Sequence, residues 1–128
     1  MIQQGTRFQV AQEEVFPAGC HLVPGGITEA QDYDEKTKTR RPAADKLTGK
    51  RVFSCRVIDL DPQLEGRSRE TVVKVVADRM PVPPTGALFE VVSFEALTVT
   101  PYVNDRGRMA YSIRAAAIKA ALPMRDAA

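Results

Sequence analysis

Eight glycines and nine prolines cut this 128-residue chain into short runs, and that punctuation constrains the fold more than any other feature. Proline removes a backbone donor and fixes φ, and glycine marks turns, so no long helix is expected between them. What remains are short apolar stretches of strand length, which predict an all-β fold.

The clearest strand is Lys50 to Leu60, KRVFSCRVIDL, where Phe53, Cys55 and Val57 share one face while Ser54 and Arg56 take the other. The loop DPQLEGRSRE then turns the chain into ETVVKVVAD, a second β-branched strand whose Lys74 is expected to point to solvent. Met80 to Gly86 holds three prolines and reads as a rigid surface connection. Phe89 to Val103 is one long extended stretch with imperfect alternation, so a bulge or sharp bend is expected inside it. Asn104-Asp105-Arg106-Gly107 is a turn signal, after which Met109, Tyr111, Ile113 and Ala115 share a face, and the two runs form a hairpin. The closing segment 115–122 fits strand or helix equally, because alanine is the best helix former.

Before Lys50 the pattern is weaker. Phe8-Gln9-Val10, Val15-Phe16 and His21-Leu22-Val23 read as short strands between turn residues. Residues 29–51 lack hydrophobic periodicity and predict a mobile loop or an extended wing. Five or six strands, one of them long and bent, with a C-terminal hairpin, describe a small OB-like barrel occupying 1–128 as a single domain, with a β-sandwich as the alternative.

Charge is unevenly placed. The 18 Lys and Arg against 16 Asp and Glu give a net charge of only +2. Yet the acidic group Glu29, Asp32, Asp34 and Glu35 is followed at once by Lys36, Lys38, Arg40, Arg41, Lys46, Lys50 and Arg51, opposed only by Asp45. Arg67, Arg69, Lys74 and Arg79 form a second basic group, and Arg106, Arg108 and Arg114 a third. A basic groove combined with a few aromatic side chains is the combination that binds single strands: cations track the backbone, and rings stack on bases for roughly 1–3 kcal/mol each. Tyr33 and Tyr102 are the candidate stacking residues. The first basic block and the Arg106/Arg108 pair are the candidate phosphate contacts, against the plainer reading of the block as a solvated loop. Phe53, Phe89 and Phe94 are assigned to the core, and Tyr111 mostly so.

Other chemistries find little support. Cys20 and Cys55 are expected to be free, half-buried thiols, and His21 beside Cys20 lacks the four closely spaced ligands of structural zinc. Residues 32–37 place Lys36 and Thr37 where a calcium loop needs an oxygen ligand and a glycine. No phosphate-cradling loop or nucleophile motif occurs. The expectation is therefore a non-enzymatic protein without metal or cofactor. No run approaches a membrane span and the N-terminus is too polar for a secretory signal, so a cytoplasmic location is expected.

The wording of several segments carries a family likeness. Asp32-Tyr33-Asp34, Asp45-Lys46-Leu47-Thr48-Gly49, Val57-Ile58-Asp59, Pro81-Val82-Pro83-Pro84, Phe94 to Val103 and Gly107 to Ser112 resemble actinobacterial proteins of plasmids and integrative elements described as activators of replication, integration and excision. The match spans about residues 30–115. At the level of pattern, the same hairpin is similar to the last strands of filamentous-phage single-stranded DNA-binding proteins, which are OB-type barrels working as dimers. The resemblance implies a homodimer that coats single-stranded DNA with little sequence preference during replication or transfer of a mobile element. The rival reading is a protein–protein adaptor among replication or recombination proteins, using loop 29–51. Duplex regulation would need a groove-entering element, for which only a ribbon at 103–110 is available.

Overall fold

The computed structural model describes residues 5–45, 47–64, 69–86 and 88–120, with the side chains of 32–34 outside the description. At 53% strand against 5% helix the protein is all-β, and its main sheet is strongly curled into a half-barrel.

The strands of that sheet are β1 (Phe8–Gln9), β2 (Cys20–Glu29), β5 (Arg51–Asp59), β6 (Glu70–Ala77), β7 (Val91–Glu95), β8 (Thr98–Val103), β9 (Met109–Ala115) and β10 (Ala117–Ala120), in the order β1-β8-β9-β6-β5-β2-β7-β10. A separate two-stranded ribbon pairs β3 (Gln31–Asp34) with β4 (Thr39–Pro42). Eight strands replace the five or six expected, because backbone breaks divide long extended runs and the short β1 adds to an edge.

The division is clearest in the C-terminal half. Ala96 has φ 55°, a left-handed conformation that an extended strand cannot absorb, and it separates β7 from β8. Ala116, a simple bend without a left-handed φ, separates β9 from β10. Register nevertheless runs on across the break: Glu95 faces Ala117 and Thr98 faces Arg114. The Ala116 N–H donates to the Glu95 carbonyl at 2.8 Å, bridging the corner. The expected hairpin is therefore longer than its sequence signal, and it is bent. One arm joins β2 through β7, and the other runs parallel to β6 through β9. Residues 117–120 of the ambiguous closing segment are strand, because β7 offers a free edge for them; 121 and beyond lie outside the described residues.

The first half departs further from its sequence pattern. Val15-Phe16 is not a strand: Gln12–Val15 forms one helical turn, α1, where the Glu14 carboxylate accepts the Ala11 N–H at 2.8 Å. The turn delivers Phe16, 3% exposed, into the core as a plug. Likewise β2 does not stop at Val23. Leu22 faces Val57 but Ile27 faces Cys55, so Val23–Gly26 form a bulge that bends the strand and lets it continue. Gly26 is required there, because a Cβ would lie 2.8 Å from the Val23 carbonyl oxygen and 3.0 Å from that of Arg56.

The core fills the concave side: Cys20, Leu22, Cys55, Val57, Val73, Val75, Val92, Phe94, Leu97 and Ala115, closed by Phe16. Phe53 is also fully buried, as expected of its face. Two aromatic assignments are corrected. Phe89 is 56% exposed in a turn at φ 53°, its ring set edge-on to His21 at 5.5 Å. Tyr111 is 59% exposed: the β6–β9 ladder ends at the Val73–Ile113 pair, so at Tyr111 β9 pairs with β8 alone. Both thiols are fully rather than half buried. No helix among the described residues is long and apolar enough to cross a membrane.

Candidate nucleic-acid interface

The β3–β4 ribbon stands off the main sheet as a wing. In the ribbon Tyr33 stands opposite Arg40, Asp32 opposite Arg41, and Lys38 closes the turn at φ 54°. Lys36, Lys38, Arg40, Arg41 and Lys50 are exposed; Lys46 and the Tyr33 side chain lie outside the description. A short backbone ladder roots the wing: Ala43 donates to Ala30 at 2.9 Å, Ala30 to Val52 at 3.0 Å and Val52 to Ala43 at 3.2 Å. Arg51 is committed elsewhere: its Nε donates to the Glu29 carboxylate at 2.7 Å, and its guanidinium lies 5.1 Å from the centroid of the Phe53 ring.

The second cationic element is the β8–β9 turn. Asn104 Oδ1 accepts the N–H groups of Arg106 at 2.9 Å and Arg108 at 3.1 Å, fixing a turn that holds both arginines in solvent. Register puts this turn and the wing at opposite ends of the sheet. Arg51 faces Ala77, two residues past the Val75–Ala115 pair, while Met109 lies at the other end of β9. At about 3.3 Å per residue the two are roughly 25 Å apart. The two basic sets therefore do not converge.

The face opposite the core joins them. Along it Tyr102 sits opposite Ala110, Thr100 opposite Ser112 and Thr98 opposite Arg114, and the row continues across the sheet through Lys74 and Ser54. Tyr102 is 49% exposed at the hairpin end. Near the wing end this face deepens into a recess of about 400 Å³ lined by Arg7, Asp45, Lys74, Thr100 and Arg114, among others. Lys74, expected in open solvent, is half-buried there.

Asp45 organises the recess. It receives two bonds from the Arg7 guanidinium, one at 3.2 Å, and takes the N–H and hydroxyl of Thr48 at 3.1 and 3.0 Å. Chiefly the Arg7 hydrogen bonds, against the opposing effect of burial, hold its carboxyl down to about 2. Arg114 donates through Nη1 to Ser112 at 3.0 Å, yet its Nε, 3.7 Å from Asp45, is buried without a hydrogen-bond partner. Burial and the neighbouring Arg7 charge pull the Arg114 guanidinium below its ordinary value, with Asp45 pulling the other way.

Sequence reasoning placed Lys74 and Arg114 in basic groups but assigned neither to the site, and it missed Arg7 and Asp45. Arg7 and Asp45 are 38 residues apart, and no local pattern relates them. Alternation was the one usable signal, since it sets Arg114 and Lys74 on the polar face of their strands.

Elsewhere, the bulge of β2 and the connection 80–89 enclose an apolar groove of about 420 Å³ lined by Leu22, Ile27, Met80, Val82, Leu88 and Phe89, among others. No group of three or more His, Cys, Asp or Glu side chains suited to a metal ion occurs among the described residues. Comparison of the chain with family models, with curated proteins and with solved structures finds no match.

Proposed function

We propose that this protein is a non-catalytic OB-type module that binds single-stranded DNA with little sequence preference, serving replication or transfer of a plasmid, phage or integrative element. The observation that carries the reading is the polar, cationic track on the face opposite the core. It leads from Arg106, Arg108 and Tyr102 past Ser112 and Thr100 to Arg114, Lys74 and the wing. Lys36, Lys38, Arg40, Arg41, Lys46 and Lys50 take phosphates at one end, Arg106 and Arg108 at the other, and Tyr33 and Tyr102 stack on bases. Arg51 contributes less, since Glu29 already neutralises it.

What supports the OB reading is that counting each bent strand once leaves five long strands in the curled sheet. The reading includes a second copy of the chain. Its support is the core-side row of the projecting hairpin, where Val103, Met109 and Tyr111 are 70%, 67% and 59% exposed.

Fluorescence anisotropy with a labelled ~30-nucleotide strand, long enough to exceed one OB site, and with its duplex, at several salt concentrations, tests the proposal. Single strands are expected to bind preferentially, with affinity falling by roughly 0.7 log unit per log unit of salt for each phosphate contact. Tyr102→Ala is expected to cost about 1–3 kcal/mol of binding. Salt-insensitive binding, or none to either probe, would overturn the reading in favour of an adaptor, for which the apolar groove beneath Met80–Phe89 is the corresponding surface.

A further inference from the structure

The recess at the foot of the wing has a charge balance that the strand-binding reading does not require. Three cations, Arg7, Lys74 and Arg114, face one carboxylate, Asp45. That carboxylate is saturated: its side chain is fully buried, and Arg7 and Thr48 occupy its oxygens. One guanidinium is thereby neutralised and two positive charges remain.

Neither remaining cation is satisfied within the described residues. Lys74 has no ion pair there, although it is half-buried. Arg114 gives one Nη to Ser112 and leaves a buried Nε–H with no acceptor. Folding rarely leaves such a donor empty, since a buried N–H separated from water loses a hydrogen bond without replacement. Asp45 cannot serve, because it stands 3.7 Å from that nitrogen. The guanidinium is also held close to a like charge, Arg7, in a partly desolvated place. What relieves the charge balance is one small anion with several acceptor oxygens, seated between the partly exposed Arg114 guanidinium and Lys74, which line the same recess.

We propose that the recess lined by Arg7, Asp45, Lys74, Thr100 and Arg114 is a binding site for a phosphate group. A guanidinium fork and an ammonium complement tetrahedral phosphate oxygens, and the Thr100 hydroxyl offers a neutral donor beside them. At about 400 Å³ the recess falls within the range of small-ligand sites, about 300–1,000 Å³. Asp45 acts as the internal counter-ion that holds Arg7 in position. The site stands apart from the strand reading: the phosphate comes either from a nucleic-acid backbone lying in the track or from a free phosphate.

The test uses the intact chain, with inorganic phosphate as the probe at constant ionic strength set by chloride. The Arg114 side-chain Nε–H resonance, assigned by its loss in Arg114→Gln, is expected to shift saturably with phosphate, and Lys74→Gln is expected to weaken that response at least fivefold. Lys119→Gln, on the edge strand β10 and outside the recess, is expected to leave it unchanged. A parallel anisotropy titration separates the sources. If phosphate displaces a labelled oligonucleotide and Lys74→Gln weakens both, the phosphate belongs to the strand. If phosphate saturates the resonance without affecting the oligonucleotide, it is a free ligand. An oligonucleotide that fails to bind beside a saturable phosphate shift removes the strand reading and leaves the recess standing. A resonance that moves no more with phosphate than with chloride, in a chain that binds the oligonucleotide normally, overturns the recess alone.

Discussion

The two faces of β5, β6 and β9 are built from alternate residues of the same strands, and they differ in how they are held. On the core face Phe53, Cys55, Val57, Val73, Val75 and Ala115 are buried against one another. Their stability is apolar burial, which is non-directional and tolerates any partner of suitable shape. On the other face Ser54, Lys74, Arg114 and Ser112 lie in register, and their arrangement depends on directional bonds from distant segments. The comparison teaches that one face carries the fold while the other is left available for charge.

The sharpest way to break this division is to truncate one side chain on each face. Phe53→Ala removes a fully buried ring and is expected to cost about 3–5 kcal/mol in urea unfolding. Lys74→Gln, one strand away on the opposite face, is expected to stay within about 0.5 kcal/mol of the parent. Equal losses would mean that the polar face also carries the fold.

A smaller effect tests the exception on the polar side, the buried carboxylate. Asp45 is held at about 2 against an ordinary 3.8, so its folded-state value is depressed. Its stabilisation is complete above about pH 4 and is lost as pH falls from there through about 2, because the unfolded chain takes up the proton first. The depression corresponds to about 2 kcal/mol at neutral pH, at about 1.4 kcal/mol per unit. Asp45→Asn is expected to lose about that much at pH 7 and to flatten the acid limb of the stability curve. A variant as stable as the parent at pH 7 would sink the idea that the bonds from Arg7 and Thr48 to Asp45 hold the recess together.

The smallest perturbation reads the core face without altering it. Burial pushes the Cys20 and Cys55 thiols up to about 12, so the reactive thiolate is scarce at pH 8. Iodoacetamide is expected to modify neither cysteine in the folded chain and both after unfolding, as mass spectrometry will record. Modification under native conditions would mean that the core face opens.

Legibility followed the same division. Alternation identified β5, β6 and the hairpin, because one face of each strand is apolar and the period is two. The turn at Asn104–Gly107 was legible from its own side-chain chemistry, since Asn104 caps it locally. Val15-Phe16 was misread because a single helical turn leaves no periodicity to detect. Tyr111 was assigned to the core because alternation reports a face, not where the ladder beside it ends. The basic clusters were visible as composition, but their placement at opposite ends of the sheet was not, since it depends on which strand ends pair.

By itself the sequence determined the strand-forming segments, the turns that carry glycine, proline and asparagine, and the wing's charge, all of which rest on interactions within a few residues. The tertiary structure alone decided that a hairpin bent at Ala96 and Ala116 should bridge β2 and β6. It alone brought Arg7 to Asp45 and left the Arg114 Nε buried beside them. The reason is physical: periodicity encodes which face of a strand is apolar, whereas a charged recess forms only where chain segments far apart in sequence are carried together by the curl of the sheet.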